Sequence, residues 1–328
     1  MPIDLVTGGC GFIGRHLVAA LRTGGASVRV LDLAPADELD AEFVAGSILD
    51  TQRLDAAMKG VRHVYHLAGI AKLWSRDRAD FERINAGGTA MVLRAAATQR
   101  VERVIHCSTE AILLPKRRGS VAFIDESVQP ALADMPGPYT RSKLKAEQSV
   151  LAAVQDGLNA LIVNPTVPIG PGDRNLTPPS AMLSMFLAGQ SPAYLECVLN
   201  LVDVRDVANG MVLAAERGRT GERYILGGDN LALSDLLRLL ETISGRPMPK
   251  RAVPGWLALA SSLVTEWVAD VLTHHTPAST REGVALALRS QPFDSRKARS
   301  ELGYAPRALQ DALADAVSWL SSAGAASP

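Results

Sequence analysis

Tyr139 and Lys143 stand four residues apart in "GPYTRSKLKAE", residues 137 to 147. Residues i and i+4 share one face of a helix, so the spacing predicts a phenol beside an ammonium. A free tyrosine has a pKa of about 10 and is a poor base at neutral pH, but a neighbouring cation that stabilises the phenolate lets it trade a proton. Taken alone, the same spacing also describes two exposed residues on a solvated helix.

A second stretch, "VTGGCGFIGRHL" (6–17), places Gly8, Gly11 and Gly14 between an apolar run and a helical pattern. Positions without side chains let the backbone turn tightly and approach a pyrophosphate, which the amides and positive end of the following helix would hold. The spacing is GxxGxxG rather than GxGxxG, and a glycine triplet by itself also fits an ordinary tight turn. The acid that should follow about 20 residues on, at the end of the next strand, is Asp32. Its carboxylate would accept hydrogen bonds from the adenine-ribose hydroxyls and repel a 2′-phosphate. Leu33, Ala34 and Pro35 supply no arginine to offset that repulsion, so NAD is expected over NADP. The alternative for Asp32 is a solvated turn.

These residues need a scaffold, and the apolar runs "IDLV", "SVRVLDL", "RHVYHLAG", "ERVIHCST" and "NALIVNP" provide one by alternating with helical patterns at 12–23, 50–58, 80–99 and 140–156. Strand and helix in strict alternation predict an α/β fold, a Rossmann-type doubly wound parallel sheet. "NPTVPIGPGDRNLTPPS" (164–180) is too dense in proline and glycine for regular structure and predicts a long functional loop. The dinucleotide-binding domain is expected over 1–165 with a returning segment at about 200–228. A smaller, mostly helical substrate-binding lobe takes 166–199 and 229–322, and the tail 323–328 is expected to fray.

The chain has 328 residues, more than the roughly 250–300 at which one hydrophobic core stops growing, which favours two coupled lobes. Apolar residues make up 47% and charged ones 21%, the composition of an ordered globular protein. Lys plus Arg balance Asp plus Glu at 34 each, leaving no positive field for nucleic acid. Cys10, Cys107 and Cys197 form no CxxC, and neither a leader peptide nor an uninterrupted membrane-length apolar run is evident, so a cytoplasmic location is expected. No HExxH occurs, and His63 and His66, three apart in a strand, point to opposite faces; no metal site is expected.

Taken together, "TGGCGFIG", "HLAG" (66–69), "NAGGT" (85–89), "CSTE" (107–110), "YTRSK" (139–143) and "NPTVPIGPGD" (164–173) resemble the extended short-chain dehydrogenase/reductase superfamily over nearly the whole chain. Finer features, "LWSRD", "VNPTVPIGP" and "GERYILGGDN", resemble its branch of dihydroflavonol reductases and hopanoid-associated epimerases. The resemblance implies that Tyr139 is the general acid/base, that Lys143 lowers its pKa and binds the nicotinamide ribose, and that Thr109 hydrogen-bonds the substrate oxygen. It implies a dinucleotide site formed first by Gly8, Gly11, Phe12, Ile13 and Gly14. Asp32, Ser47 and Ile48 would follow at the adenosine end. Leu67, Ala68 and Gly69 come next, then Asn85, Asn164 and Pro165 beside Tyr139 and Lys143. Asn85 would tie the sheet to the catalytic region, or simply make a local backbone bond. Glu110, Trp74 and Asn164 would line the substrate pocket. Relatives pair through two long helices; 80–99 and 140–156 are the candidates for a homodimer here, and a monomer stays open.

Departures from the family pattern bear on substrate. Where nucleotide-sugar enzymes carry "RDYIHVDDVA", with an arginine for the diphosphate, this chain has "LNLVDVRDVA" and Leu199. A buried diphosphate without a cation is costly, although Asn164 and Arg289 remain available to such a substrate. "GSILD" replaces "GDxxD", which puts Ser47 at the adenine. In "GWLALASSLVTEWVADVL" (255–272), Trp256, Leu259, Leu263, Trp267 and Val271 recur at helical spacing. They would pack on the second lobe's core, or else form an apolar lid or a weak peripheral membrane contact. The reading is an NAD-dependent oxidoreductase for a secondary alcohol or ketone, small and lipid-like. A nucleotide-sugar epimerase with tightly held NAD and a non-catalytic dinucleotide-binding accessory protein are the alternatives.

Overall fold

The computed structural model describes residues 3–35, 39–119 and 121–325, with side chains through 322. The chain opens with β1 (Ile3–Thr7), α1 (Phe12–Thr23), β2 (Ser27–Asp32), β3 (Glu42–Ala45), α2 (Thr51–Met58) and β4 (Val61–His66). A π-helical turn, Phe81–Gly87, runs into α3 (Gly88–Gln99), followed by β5 (Arg103–Cys107), α4 (Pro138–Gln155), β6 (Ala160–Pro165) and β7 (Val167–Ile169). Next come α5 (Pro178–Leu187), β8 (Val198–Asp203), α6 (Val204–Arg217), β9 (Arg223–Leu226) and β10 (Asp229–Ala232). The chain finishes with α7 (Leu233–Ser244), α8 (Gly255–Val268), α9 (Arg281–Arg289) and α10 (Leu309–Ala325).

The large sheet runs β3-β2-β1-β4-β5-β6-β9 with every pairing parallel. Successive strand residues point to opposite faces, and both faces are covered. Leu5 of β1, Val104 of β5 and Ile162 of β6 therefore join one core with Leu54, Met58, Val92, Leu93 and Val150 from α2, α3 and α4. Their neighbours Val6, Ile105 and Leu161 join the other, with Leu17, Leu21, Val207 and Met211 from α1 and α6. Strand order reverses at β1, between β2 and β4, and it is at such a switch that the carboxyl ends of a parallel sheet leave a crevice for a ligand.

Two parts of the chain differ from the sequence expectation, and a third settles between two alternatives it left open. The 164–180 stretch is not wholly irregular, because after Thr166 it resumes as β7; Pro168 is tolerated there since β7 is an edge strand and spends few amides on pairing. The strand at 198–203 does not rejoin the large sheet. It pairs in parallel with β7 and antiparallel with β10, so the return to the large sheet is made by α6 and β9 and the second lobe contains a three-stranded sheet. Finally, α8 does not bury its large apolar side chains in the lobe's core; Trp256, Leu263, Val264 and Trp267 face outward. The core of that lobe is built instead from α5, α7 and α10 over the small sheet. Of the tail, α10 continues to Ala325 and residues 326–328 lie outside the described residues.

Candidate active site

The glycine turn between β1 and α1 is packed to the limit. Gly8 has φ +73°, and a Cβ there would lie 2.7 Å from the amide nitrogen of Ala68; a Cβ on Gly14 would lie 2.3 Å from Gly8 O. The turn can hold only glycine at these places, and it brings the N-terminus of α1 against the ends of β1 and β4. Gly11 caps α1 without a side chain, and Phe12 and Ile13 begin the helix. Across the turn, Asp32 at the end of β2 accepts hydrogen bonds from the amides of Cys10 (2.9 Å) and Leu33 (2.7 Å), which fixes its carboxylate beside the loop. The start of a helix for the pyrophosphate, a backbone cradle around it and a carboxylate acceptor one strand over for the ribose hydroxyls are what a dinucleotide site requires. Leu67, Ala68 and Gly69 continue from β4 along the same edge. Ser47 Oγ accepts from Leu49 N at 3.1 Å in a local turn, while Ile48 is buried against Gly88, where a Cβ would meet it at 2.4 Å.

Asn85 works at long range. Its Oδ1 accepts from Ile70 N (2.7 Å), and its Nδ2 donates to Ile70 O (3.2 Å) and to Ser142 Oγ (2.9 Å), stitching the loop after β4 to the helix that carries Tyr139 and Lys143. Behind it His66 bridges the hydroxyls of Thr7 (2.8 Å) and Thr89 (2.9 Å), and burial, with the charge of Lys143, pushes its pKa down to about 3. It is a neutral strut at physiological pH.

Thr109 and Tyr139 come together where β5 ends and α4 begins. Thr109 caps the short helical turn Glu110–Ile112, accepts from Ala111 N (3.2 Å) and donates to Glu110 Oε2 (3.0 Å). Tyr139 is buried with its ring edge-on to Phe81 at 6.3 Å, and Ala111, Ile70, Leu73 and Leu286 complete the apolar shell. Burial drives the phenol's pKa upward; the neighbouring Thr109 hydroxyl opposes this, and the carboxylates of Glu110 and Glu282 add to it. Burial also raises Glu110 to about 7 against the hydrogen bond from Thr109. Lys143 lies one helical turn further along α4. Its ammonium donates to the Cys107 carbonyl at 2.7 Å, and burial lowers its own pKa.

Asn164 and Pro165 are the last two residues of β6, and both are buried. Asn164 donates to Thr109 O (2.9 Å) and to Glu147 Oε1 (2.8 Å), and Glu147 is paired in turn with Arg223 of β9 at 2.7 Å. The arrangement braces the backbone of Thr109 from behind. Trp74 is buried too, donating from Nε1 to Asp270 Oδ1 at 2.8 Å, and Arg289 donates to Asp134 O at 2.6 Å. Sequence reasoning missed Glu147, Ser142 and above all Glu282, whose carboxylate serves the first turn of α4 from more than a hundred residues away. One signal was present: α4 starts "GPYT", with a glycine where a capping side chain belongs, so the cap had to come from elsewhere.

Residues 5–227 match the NAD dependent epimerase/dehydratase family. The chain is 40% identical to a putative dihydroflavonol 4-reductase of Synechocystis sp., covering 97% of this chain and 94% of that protein. It is 33% identical to the 4-hydroxy-2-methyl-3-oxo-4-farnesyl-3,4-dihydroquinoline-1-oxide ketoreductase of Stigmatella aurantiaca, covering 97% and 96%. It is 29% identical to sterol demethylase protein B of Methylococcus capsulatus, covering 98% of each. The crystal structure of gox2253 superposes with a TM-score of 0.86 over 99% of both chains at 38% identity. With the glycine cradle, the acid at β2 and the Thr109–Tyr139 pair in place, the chain belongs to the NAD dependent epimerase/dehydratase family and is an NAD(P)-dependent enzyme of the extended short-chain dehydrogenase/reductase superfamily.

Proposed function

We propose that the enzyme interconverts a ketone and its secondary alcohol on an apolar, lipid-derived molecule, with NAD(H) as cofactor. The observation that carries this reading is the apolar packing around the Tyr139 ring, made by Phe81, Ala111, Ile70, Leu73 and Leu286. Leu199 supports it, since it packs with the lobe's apolar core at the place where a diphosphate would need a cation. The relatives whose names specify a farnesyl-bearing ketone and a sterol point the same way.

When bound, the nicotinamide ring supplies or accepts the hydride. Asp32, held by two amides, favours the unphosphorylated ribose of NAD. Gly8, Gly11 and Gly14 would receive the pyrophosphate, and Lys143 and Asn85 would hold the region nearest the ring. With its pKa raised, the Tyr139 phenol keeps its proton at neutral pH and is ready to donate it to the developing alkoxide. Thr109 offers that oxygen a second hydrogen bond, and two fixed donors aimed at one developing negative charge lower the barrier. Glu110 decides how Thr109 is used, because it competes for the same hydroxyl proton.

The test is NADH oxidation scanned over long-chain keto-lipids, sterol ketones, aromatic ketones and sugar nucleotides. Turnover confined to the apolar ketones is expected. Retention of NAD through purification, with sugar-nucleotide interconversion and no net NADH change, would replace this reading with an epimerase.

A further inference from the structure

Helix α8 has its polarity turned inside out. The residues it buries are Ala258, Ser262 and Glu266, with Ala269 on the π-helical turn Ala269–Thr273 that continues it. The residues it presents outward are large and apolar: Trp256 is 71% exposed, Val264 61%, Trp267 58% and Leu263 50%. Both carboxylates of the segment are turned inward or neutralised. Glu266 is buried 3.9 Å from Arg78, and Asp270 accepts from Trp74 Nε1 at 2.8 Å and Arg78 Nη2 at 3.0 Å. Lys250 and Arg251 are exposed just before the helix, and His274 and His275 just after it.

We propose that α8 lies in the plane of an anionic phospholipid surface, its outer face in the boundary between headgroups and acyl chains and Lys250 and Arg251 against headgroup phosphates. An apolar stripe without an unpaired acid, preceded by two exposed cations, is complementary to that surface. Gly255–Thr273 is also long and apolar enough to cross a bilayer. Crossing would drag Glu266 and Asp270 off Arg78 and Trp74 into hydrocarbon, whereas lying flat leaves both contacts intact. A second copy of the chain fits less well. Among the described residues neither indole N–H of Trp256 or Trp267 has a hydrogen-bond partner, and a dry protein interface would bury both, while the bilayer boundary keeps them wet.

The surface and the active site share a wall. α8 packs on α9, which contributes Leu286 to the shell of Tyr139, and the loop that carries Trp74 and Arg78 contributes Leu73. An apolar substrate would thus pass from the bilayer to the phenol without crossing water. This delivery role rests on the function proposed above; the docking itself does not.

The experiment is co-flotation of the full chain with phosphatidylcholine vesicles, with and without phosphatidylglycerol, beside NADH turnover on a water-soluble ketone. Flotation on the anionic vesicles is expected, falling at least about tenfold in the double variant Trp256→Ser/Trp267→Ser and about fivefold for each of Lys250→Gln and Arg251→Gln. NADH turnover should be unchanged in all of them. Absence of flotation, or flotation that the tryptophan variant does not weaken, would overturn the proposal. So would a vesicle-free dimer that the tryptophan variant dissociates, since the face would then belong to a second copy. Flotation without turnover on any ketone would leave docking standing and sink the proposed chemistry instead.

Discussion

Glu282 takes both polar hydrogens that Thr140 offers, the backbone amide at 2.8 Å and the hydroxyl at 2.7 Å, and accepts the Tyr139 amide at 3.2 Å as well. The first turn of α4 is thereby capped by a side chain from α9, and Gly137 is glycine because a Cβ there would fall 2.2 Å from Glu282 Oε2. The helix that carries the phenol starts where the second lobe tells it to.

Replacing Glu282 by Ala leaves buried donors unpaired and should cost about 2–3 kcal/mol of stability, read as a lower denaturant midpoint. Glu282→Gln keeps one acceptor and should recover part of it. Both should lower kcat more than they change cofactor affinity, because Tyr139 moves and the glycine cradle does not.

Glu110 gives a pH dependence with a definite sign. Its carboxyl is raised by burial from 4.5 to about 7, so above that pH it is an anion that holds the Thr109 proton and withholds it from a substrate oxygen. Ketone reduction should therefore decline as pH rises through about 7. The folded chain also binds this proton more tightly than the unfolded one, so stability falls between pH 4.5 and about 7. Glu110→Gln should remove both slopes, which rate profiles and melting curves across that range would show.

Asp32→Ala should relax cofactor choice. Removing the carboxylate takes away the repulsion toward a 2′-phosphate and the acceptor for the ribose hydroxyls, so the ratio of kcat/KM for NADH over NADPH should fall on the order of tenfold. An unchanged ratio would mean that selectivity lies elsewhere in the adenosine pocket.

Tyr139→Phe should lower turnover by at least about a hundredfold while leaving cofactor binding within about twofold, since the ring still packs on Phe81 and only the proton is lost. Turnover that survived this change would return the chain to the reading of a non-catalytic dinucleotide-binding protein.

What could be read from sequence was what is local. Alternating apolar strands announced the parallel sheet, and Gly8, Gly14 and Asp32 announced the cradle, because each depends on neighbours a few residues or one strand away. β3 was invisible, since of its four residues Glu42 and Ala45 are exposed, Phe43 and Val44 only half-buried, and no alternation is clear. The pairs Glu282–Thr140, Glu147–Arg223 and Trp74–Asp270 join residues far apart in sequence, and no spacing rule reaches across them. At Lys143 the helical spacing was legible, whereas the bond of its ammonium to the Cys107 carbonyl, on the strand before, was not. In α8 the stripe was legible but its direction was not: packing on the core and an outward lid or membrane face both fitted the period, and the structure takes the outward one.

The position of β9 at the end of the large sheet, laid down only after β7, β8 and α6, has a consequence for synthesis. A ribosome must release most of the polypeptide before β6 gains its outer neighbour, and until then its hydrogen-bonding edge is open to strangers. No truncated clone ending after Pro165 should yield a well-behaved nucleotide-binding module, however self-contained that portion looks on paper.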